Sequence, residues 1–213
     1  MRENVGVTRI ISGRCGSLPL ATPGSTTRPT SERVREAVFS SLEAAGGVAD
    51  ARVADLYAGS GALGLEALSR GAAGAVLIES NRAAAAVCRR NAATVGRALG
   101  TSPARVAAMP VRRWLDRDTS AFDLVFLDPP YALAEDQLTA DLVRLVPRLA
   151  TGATVVVERS TRSPEPAWPD GLERRSQRKY GETTVWTAAL VDAPGASGAP
   201  APIQDPAPAR SGR

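Results

Sequence analysis

Between residues 52 and 158, short apolar runs alternate regularly with helical segments, and this rhythm limits the fold more than any other feature of the chain. The runs at 52–57, 75–79, 104–108, 123–127 and 153–158 have strand length and are rich in Val, Leu and Ile. Segments 61–70, 82–98, 111–117 and 135–148 lie between them and read as helices. Strands and helices in strict alternation predict a parallel sheet covered by helices on both faces. After the last run, 172–178 and 183–191 read as two strands around Tyr180-Gly181, an antiparallel hairpin closing one sheet edge. Upstream, residues 7–22 form two apolar stretches around Gly13–Gly16, consistent with a small hairpin. A helix is expected over 32–45, with Val34, Val38, Leu42 and Ala45 on one face. Thr30 or Ser31 could cap it, and Gly46 and Gly47 end it. The expected organisation is an extension with a β-hairpin (1–31), an α/β domain (32–191) and a Pro/Ala-rich tail (192–213) too poor in apolar residues to order.

The 213 residues suit one domain with small additions, and 44% hydrophobic content supports a substantial core. Lys179 is the only lysine and there is no histidine, which excludes histidine-based catalysis and histidine metal ligands. Cys15 and Cys88 are the only cysteines and lie far apart. With no signal-like start and no apolar run of membrane-span length, they read as reduced thiols of a cytoplasmic protein, and no metal is expected. A net charge of +4 permits a polyanionic partner without requiring one.

Two strand ends carry chemistry. The run at 123–127 stops at Asp128-Pro129-Pro130-Tyr131, and two prolines cannot continue a sheet ladder. Asp128 therefore sits at the carboxyl end of a central strand on a stiff turn. Its carboxylate and a proline carbonyl can accept from an exocyclic amino group, while Tyr131 stacks on the ring carrying it. The ordinary alternative is a strand-ending turn with an Asx-type hydrogen bond. The first strand runs into Asp55-Leu-Tyr57-Ala-Gly59-Ser60-Gly61-Ala-Leu-Gly64 and then a helix. This contains G-x-G-x-x-G, whose glycines allow a sharp turn and close approach to a nucleotide-like ligand. Glu79, at the end of the next strand, is placed to accept both hydroxyls of a ribose. The adenine would then lie among Ser80, Asn81, Ala108 and Met109, although Met109 could equally be core.

The glycine spacing serves NAD and S-adenosylmethionine (SAM) equally, but three details favour SAM. Asp55 precedes Gly59 by four residues, where it could hold the amino acid end of the ligand and would repel a pyrophosphate. Asp-Pro-Pro-Tyr has no obvious part in hydride transfer, and no histidine is available as a proton relay. Neither cysteine sits in a nucleophile context, which argues against carbon-5 methylation of a pyrimidine.

Arg9-Ile-Ile-Ser-Gly13, Arg28-Pro-Thr-Ser-Glu-Arg33-Val-Arg35-Glu36, the segment from Asp55 to Ala72, and Asp128–Tyr131 together resemble one family: the bacterial 16S ribosomal RNA guanine-N2 methyltransferases of the RsmD type. The resemblance spans about residues 7–191 and is most specific in the segment from Arg28 to Glu36. It implies a Rossmann-like, seven-stranded SAM-dependent methyltransferase fold with an N-terminal hairpin that helps hold ribosomal RNA. It also implies methylation of the exocyclic N2 of a guanine near the P site of the small ribosomal subunit, with S-adenosylhomocysteine as coproduct. Asp128, Pro129, Pro130 and Tyr131 would be catalytic. Asp55, Tyr57, Gly59, Ser60, Gly61, Glu79, Ser80, Asn81, Ala108 and Met109 would bind the cofactor. Arg9, Arg14, Arg28, Arg33 and Arg35 crowd the start of the chain, and Arg174, Arg175, Arg178 and Lys179 precede the terminal hairpin's turn. Apart from Arg174, these residues are the candidate RNA contacts of a protein expected to be monomeric. Arg28 or Arg33 could instead pair with Asp128 or Glu36 to organise the pocket. The rival readings are an adenine-N6 DNA methyltransferase, a noncatalytic ribosome-assembly protein with a vestigial cofactor pocket, and the NAD oxidoreductase.

Overall fold

A computed structural model describes residues 7–23, 29–101 and 103–191, leaving aside the side chains of 29–31. The expectations for Arg28 and for the tail lie outside these residues. The sheet strands are β3 (Arg52–Leu56), β4 (Gly74–Ile78), β5 (Ala104–Ala107), β6 (Phe122–Leu127), β7 (Leu149–Ser160), β8 (Leu172–Tyr180) and β9 (Thr183–Leu190). They lie in the order β5-β4-β3-β6-β7-β9-β8. The first five are parallel, and β9 runs antiparallel to both β7 and β8. This is the expected parallel sheet with a terminal antiparallel hairpin. After β3 the chain builds outward to β4 and β5, then returns to add β6 on the opposite side of β3. A crevice opens at such a reversal, outside the carboxyl ends of the strands.

Alternate residues of each central strand feed the two faces, as strand geometry requires. Val53, Leu124 and Phe126 enter the core beneath α1 (Pro29–Ala44), α2 (Ala62–Ser69) and α3 (Arg82–Leu99). Ala54, Leu56, Val125 and Leu127 enter the core beneath α4 (Val111–Leu115) and α5 (Glu135–Leu145). Boundaries move where local chemistry dictates. Helix α1 begins at Pro29, ahead of the expected caps, because proline lacks an N–H and suits a first turn. Helix α5 stops at Leu145 and passes into a 3₁₀ turn over Val146–Arg148, since Pro147 cannot continue the α-helical ladder.

The N-terminal hairpin pairs β1 (Val7–Arg9) with β2 (Pro19–Ala21) and buries Ile10 and Leu20 completely in the main core. Its tip lies so close to α2 that a Cβ at Gly13 (φ +81°) would stand 2.1 Å from the Ser69 carbonyl oxygen. The Glu66 carboxylate, fully buried on α2, accepts the N–H groups of Ile11 (2.7 Å) and Ser12 (3.0 Å). Ser69 donates to the Ser12 carbonyl and accepts from the Cys15 N–H. Asn91 on α3 exchanges two hydrogen bonds with the Ala21 backbone and donates to the Ser60 carbonyl of the glycine loop. The hairpin is therefore bonded to the same helices that carry the nucleotide-type loop.

Candidate active site at the sheet reversal

Asp55 and Tyr57 stand at the carboxyl end of β3, and Asp128 follows β6 beside it. A cavity of about 220 Å³ opens between them, lined by Asp55, Tyr57, Gly59, Ser60, Asp128 and Glu158 and roofed by Thr8, Arg35 and Val38 of the hairpin and α1. The sequence motifs at both strand ends thus reach one space.

The three glycines of the loop are required for three different reasons. Gly59 has φ +56° and faces open space, so a ligand can approach its backbone. Gly61 (φ +83°) precedes α2, and a Cβ there would meet the Cys88 sulfur at 2.9 Å. At Gly64 a Cβ would lie 2.3 Å from the Leu77 side chain, so this glycine lets α2 pack onto the sheet. Gly64 also donates its N–H to Asp55 Oδ2 at 3.0 Å. The other Asp55 oxygen is buried without a partner. Burial pushes the Asp55 carboxyl up to about 7; the Gly64 N–H opposes this, and the charges of Asp128 and Glu79 add to it. A cationic group arriving at the cavity would satisfy that orphaned oxygen and restore the charge.

Glu79 accepts the Gly59 N–H (2.9 Å) on one oxygen and the Asn81 N–H (2.6 Å) on the other. Each oxygen keeps a second lone pair, so the carboxylate is fixed in place and still able to accept two hydroxyls. Asn81 caps α3 by accepting the Ala84 N–H. Tyr57, in the left-handed region (φ 71°), donates its hydroxyl to Asp141 on α5. It also lines a second hollow of about 300 Å³ with Ile78, Ser80, Pro110, Val111 and Arg112. Ser80 and the loop after β5 therefore meet at this hollow. Ala108 is exposed but does not line it, and Met109 packs half-buried on the core beneath α4 and α5, as the plainer reading allowed.

Solvent reaches Asp128 from the cleft, yet protein crowds its carboxyl, and this lost hydration raises its pKa. Glu158 is raised for the same reason and further by the charge of Asp128, against a hydrogen bond with Thr183. Carboxyls coupled this closely titrate as a pair. Pro129 is buried, while the Pro130 carbonyl is already taken by the Leu133 N–H (2.8 Å) and by Arg159 (3.4 Å). Tyr131 departs from expectation. It is 67% exposed and lines a separate hollow with Ser160, Thr161, Arg162 and Glu182, outside the cavity that holds Asp128. Two consecutive prolines turn the chain outward before the ring is reached.

Glu158 and Arg159 were not among the expected site residues. Arg159 is buried and holds the loop after Asp128 through the Leu133 carbonyl (2.9 Å) and Glu135. Two adjacent charges closing the apolar run Val155–Val157 were the available signal, because a strand end beside Asp128 is an unfavourable place for charge unless it is used.

The arginines separate into two groups. Arg35 must be removed from the candidate RNA contacts: it is 6% exposed and donates to the Arg9 carbonyl and to Thr8, beside Glu66 at 3.7 Å. Glu36 pairs with Arg70 (2.7 Å), not with Arg33. Arg70 also binds Glu43 and Glu66 and lies over the Phe39 ring at 5.1 Å. Arg9, Arg14 and Arg33 are exposed, Arg9 pairing with Glu32 and Arg14 reaching the Leu99 carbonyl. Arg174, Arg175, Arg178 and Lys179 stand exposed on edge strand β8, the first two in ion pairs with Glu165 and Glu173. Arg175 and Arg178 line a groove of about 260 Å³ whose other wall is α1.

The chain matches the family described as Conserved hypothetical protein 95 over residues 8–189. It is 37% identical over 178 residues to Ribosomal RNA small subunit methyltransferase D of Escherichia coli K12, covering 83% of this chain and 87% of that protein. Among solved structures it is similar to the Escherichia coli chain yhhF, with a TM-score of 0.76 and 34% identity over 87% of this chain and 98% of that one. A hypothetical protein of Thermus thermophilus aligns with a TM-score of 0.68 and 30% identity over 85% and 98% of the two chains.

Proposed function

The chain belongs to the family of ribosomal RNA small subunit methyltransferase D, and from that membership we propose that it methylates the exocyclic N2 of a guanine in 16S rRNA of the small ribosomal subunit, with SAM as donor. The observation that carries this reading is the single cavity joining Asp55 and Gly59 to Asp128 at the sheet reversal. The unpartnered Asp55 oxygen, the open approach at Gly59 and the spare lone pairs of Glu79 fit the ammonium, backbone-facing and ribose parts of SAM. The same oxygen disfavours the pyrophosphate of a nicotinamide cofactor. When bound, SAM supplies a methyl group on a positively charged sulfur.

Guanine N2 is a weak nucleophile because its lone pair is delocalised into the ring. Asp128 would accept an N2–H bond, favour the pyramidal nitrogen and aim its lone pair at the methyl group that SAM would supply, and the N2 proton would pass to solvent on the Asp128 side of the cavity. Orientation and stabilisation of developing positive charge supply the rate. The Pro129 carbonyl is the second acceptor, since that of Pro130 is engaged within the loop. The target base has to leave its stack to enter the cavity, and exposed Tyr131 offers a face to the departing base or its neighbour. Arg9, Arg14, Arg28, Arg33, Arg175, Arg178 and Lys179 contact RNA phosphates. The protein acts as a monomer in the cytoplasm; among the described residues no helix is long and apolar enough to cross a membrane.

The test is transfer of radiolabelled methyl from SAM to small subunits, naked 16S rRNA and DNA, followed by nucleoside analysis. N2-methylguanosine from ribosomal substrate is expected. N6-methyladenine in DNA would assign the chain to its closest chemical rival.

A further inference from the structure

Resting on the guanine-N2 reading, we infer that Glu158 is a specificity-determining residue that accepts the N1–H of the target guanine while Asp128 accepts its N2–H. Leu127 on β6 and Val157 on β7 are register partners in the parallel sheet, and Asp128 and Glu158 are the next residues along each strand. Asp128 thus leaves the sheet one residue beyond the last register pair, beside Glu158 on the neighbouring strand. Both side chains line the same cavity. Thr183 on β9 stands close enough to the Glu158 carboxyl to favour its charged form. No cation neutralises Glu158 among the described residues: Arg35, which shares the cavity, is committed to the Arg9 carbonyl, Thr8 and Glu66.

Two adjacent carboxylates without a cation make a poor structural pair, because each penalises the charge of the other. They match a ligand edge carrying two adjacent donors. Guanine presents N1–H beside N2–H on its Watson–Crick edge. Adenine presents a lone pair at N1, which the ionised form of Glu158 repels; burial and Asp128 favour the protonated form in the free site, and the paired donors of guanine draw the carboxyl back to the ionised one. A flipped base is read on this edge, and a buried acceptor built for a donor rejects an analogue lacking it by large factors.

The probe is 2-aminopurine, which keeps the N2 amino group but carries a lone pair at N1. Once nucleoside analysis has located the methylated guanine, small subunits are reconstituted with guanine or 2-aminopurine at that position. Wild-type protein should favour guanine by about a hundredfold or more in kcat/KM. Glu158→Gln can donate to the purine N1. It should lose about tenfold or more on guanine, gain on 2-aminopurine, and bring the ratio within about tenfold. An unchanged ratio overturns the assignment, as does an equal loss on both bases with S-adenosylhomocysteine affinity intact. If Glu158→Gln does not fold, Glu158→Asp decides: retaining the charge, it should keep the hundredfold preference at lower turnover, and loss of the preference overturns the inference. Absence of N2-methylguanosine with wild-type protein would instead reject the functional reading on which the inference rests.

Discussion

Replacing Glu66 with glutamine tests whether the N-terminal hairpin is held by a buried charge. The carboxylate is fully buried and serves four partners: the Ile11 and Ser12 N–H groups at 2.7 and 3.0 Å, Arg70 at 2.8 Å and Arg35 at 3.7 Å. Breaking a buried ion pair from one side costs about 3–5 kcal/mol, because the remaining charge is left without compensation. Two features place Glu66→Gln near the lower end. Glutamine keeps one acceptor for the hairpin, and Arg70 retains Glu36 and Glu43, both at 2.7 Å. A loss of about 3 kcal/mol follows, and with roughly 2–4 °C per kcal/mol for a domain of this size, Tm should fall by about 6–12 °C. Circular dichroism gives the Tm, and hydrogen exchange at Ile11 and Ser12 reports the clamp directly. Glu43→Gln is the control: its carboxylate is nearly half exposed, so its loss should cost at most about 1 kcal/mol. If Glu66→Gln costs no more than this control and leaves exchange at Ile11 and Ser12 unchanged, the hairpin is held by its apolar contacts alone.

Asp128→Ala should lower turnover at least about a hundredfold, as loss of a transition-state hydrogen-bond partner does, while calorimetry shows cofactor affinity little changed; near-normal turnover would remove Asp128 from the chemistry. For Asp55 the folded pKa of about 7 lies above the ordinary 3.8, so the free native state holds the extra proton and loses stability as pH rises through that interval. A cationic ligand needs the ionised form, so SAM affinity should climb by up to about tenfold per pH unit below about 7 and level off above it; Asp55→Asn should bind weakly with no such slope, and a flat wild-type profile would refute the pairing. Replacing Arg175, Arg178 and Lys179 with alanine should weaken binding to small subunits and flatten its salt dependence by just under about one logarithmic unit per lost phosphate contact, with SAM affinity unaffected; an unchanged slope would move the RNA surface elsewhere.

Backbone-level features were legible in the sequence because they follow from periodicity and punctuation. Alternating runs gave the parallel sheet, Gly59-Ser60-Gly61 marked the ligand loop, and Pro129-Pro130 marked the strand end bearing Asp128. What escaped depends on long-range partners. Arg35 reads as one more exposed cation in a basic helix, and only the arrival of Glu66, 31 positions later on α2, turns it inward. Glu158 and Arg159 carry no local motif, and their meaning arises when β7 is laid beside β6. For Tyr131 the motif fixed the position in the chain but not that the ring lies outside the Asp128 cavity, because side-chain direction after two prolines depends on the loop that Arg159 holds.

The segment from Glu32 to Glu36, the most distinctive part of the sequence, is thus explained in part by internal bonding. Glu32 holds Arg9 and Thr8 of the hairpin, Arg35 holds the Arg9 carbonyl, and Glu36 holds Arg70 on α2. Helix α2 begins at the glycine loop, contributes the Gly64 N–H that fixes Asp55, and presents Glu66 to the hairpin. Asn91 repeats the connection from α3, touching Ala21 of the hairpin and Ser60 of the loop with one side chain. Hairpin and cofactor loop are therefore two ends of one hydrogen-bonded unit. Arg9, proposed as an RNA contact, sits on that unit through Glu32 and not on a free arm, so a load on it reaches the supports of the cavity holding Asp55.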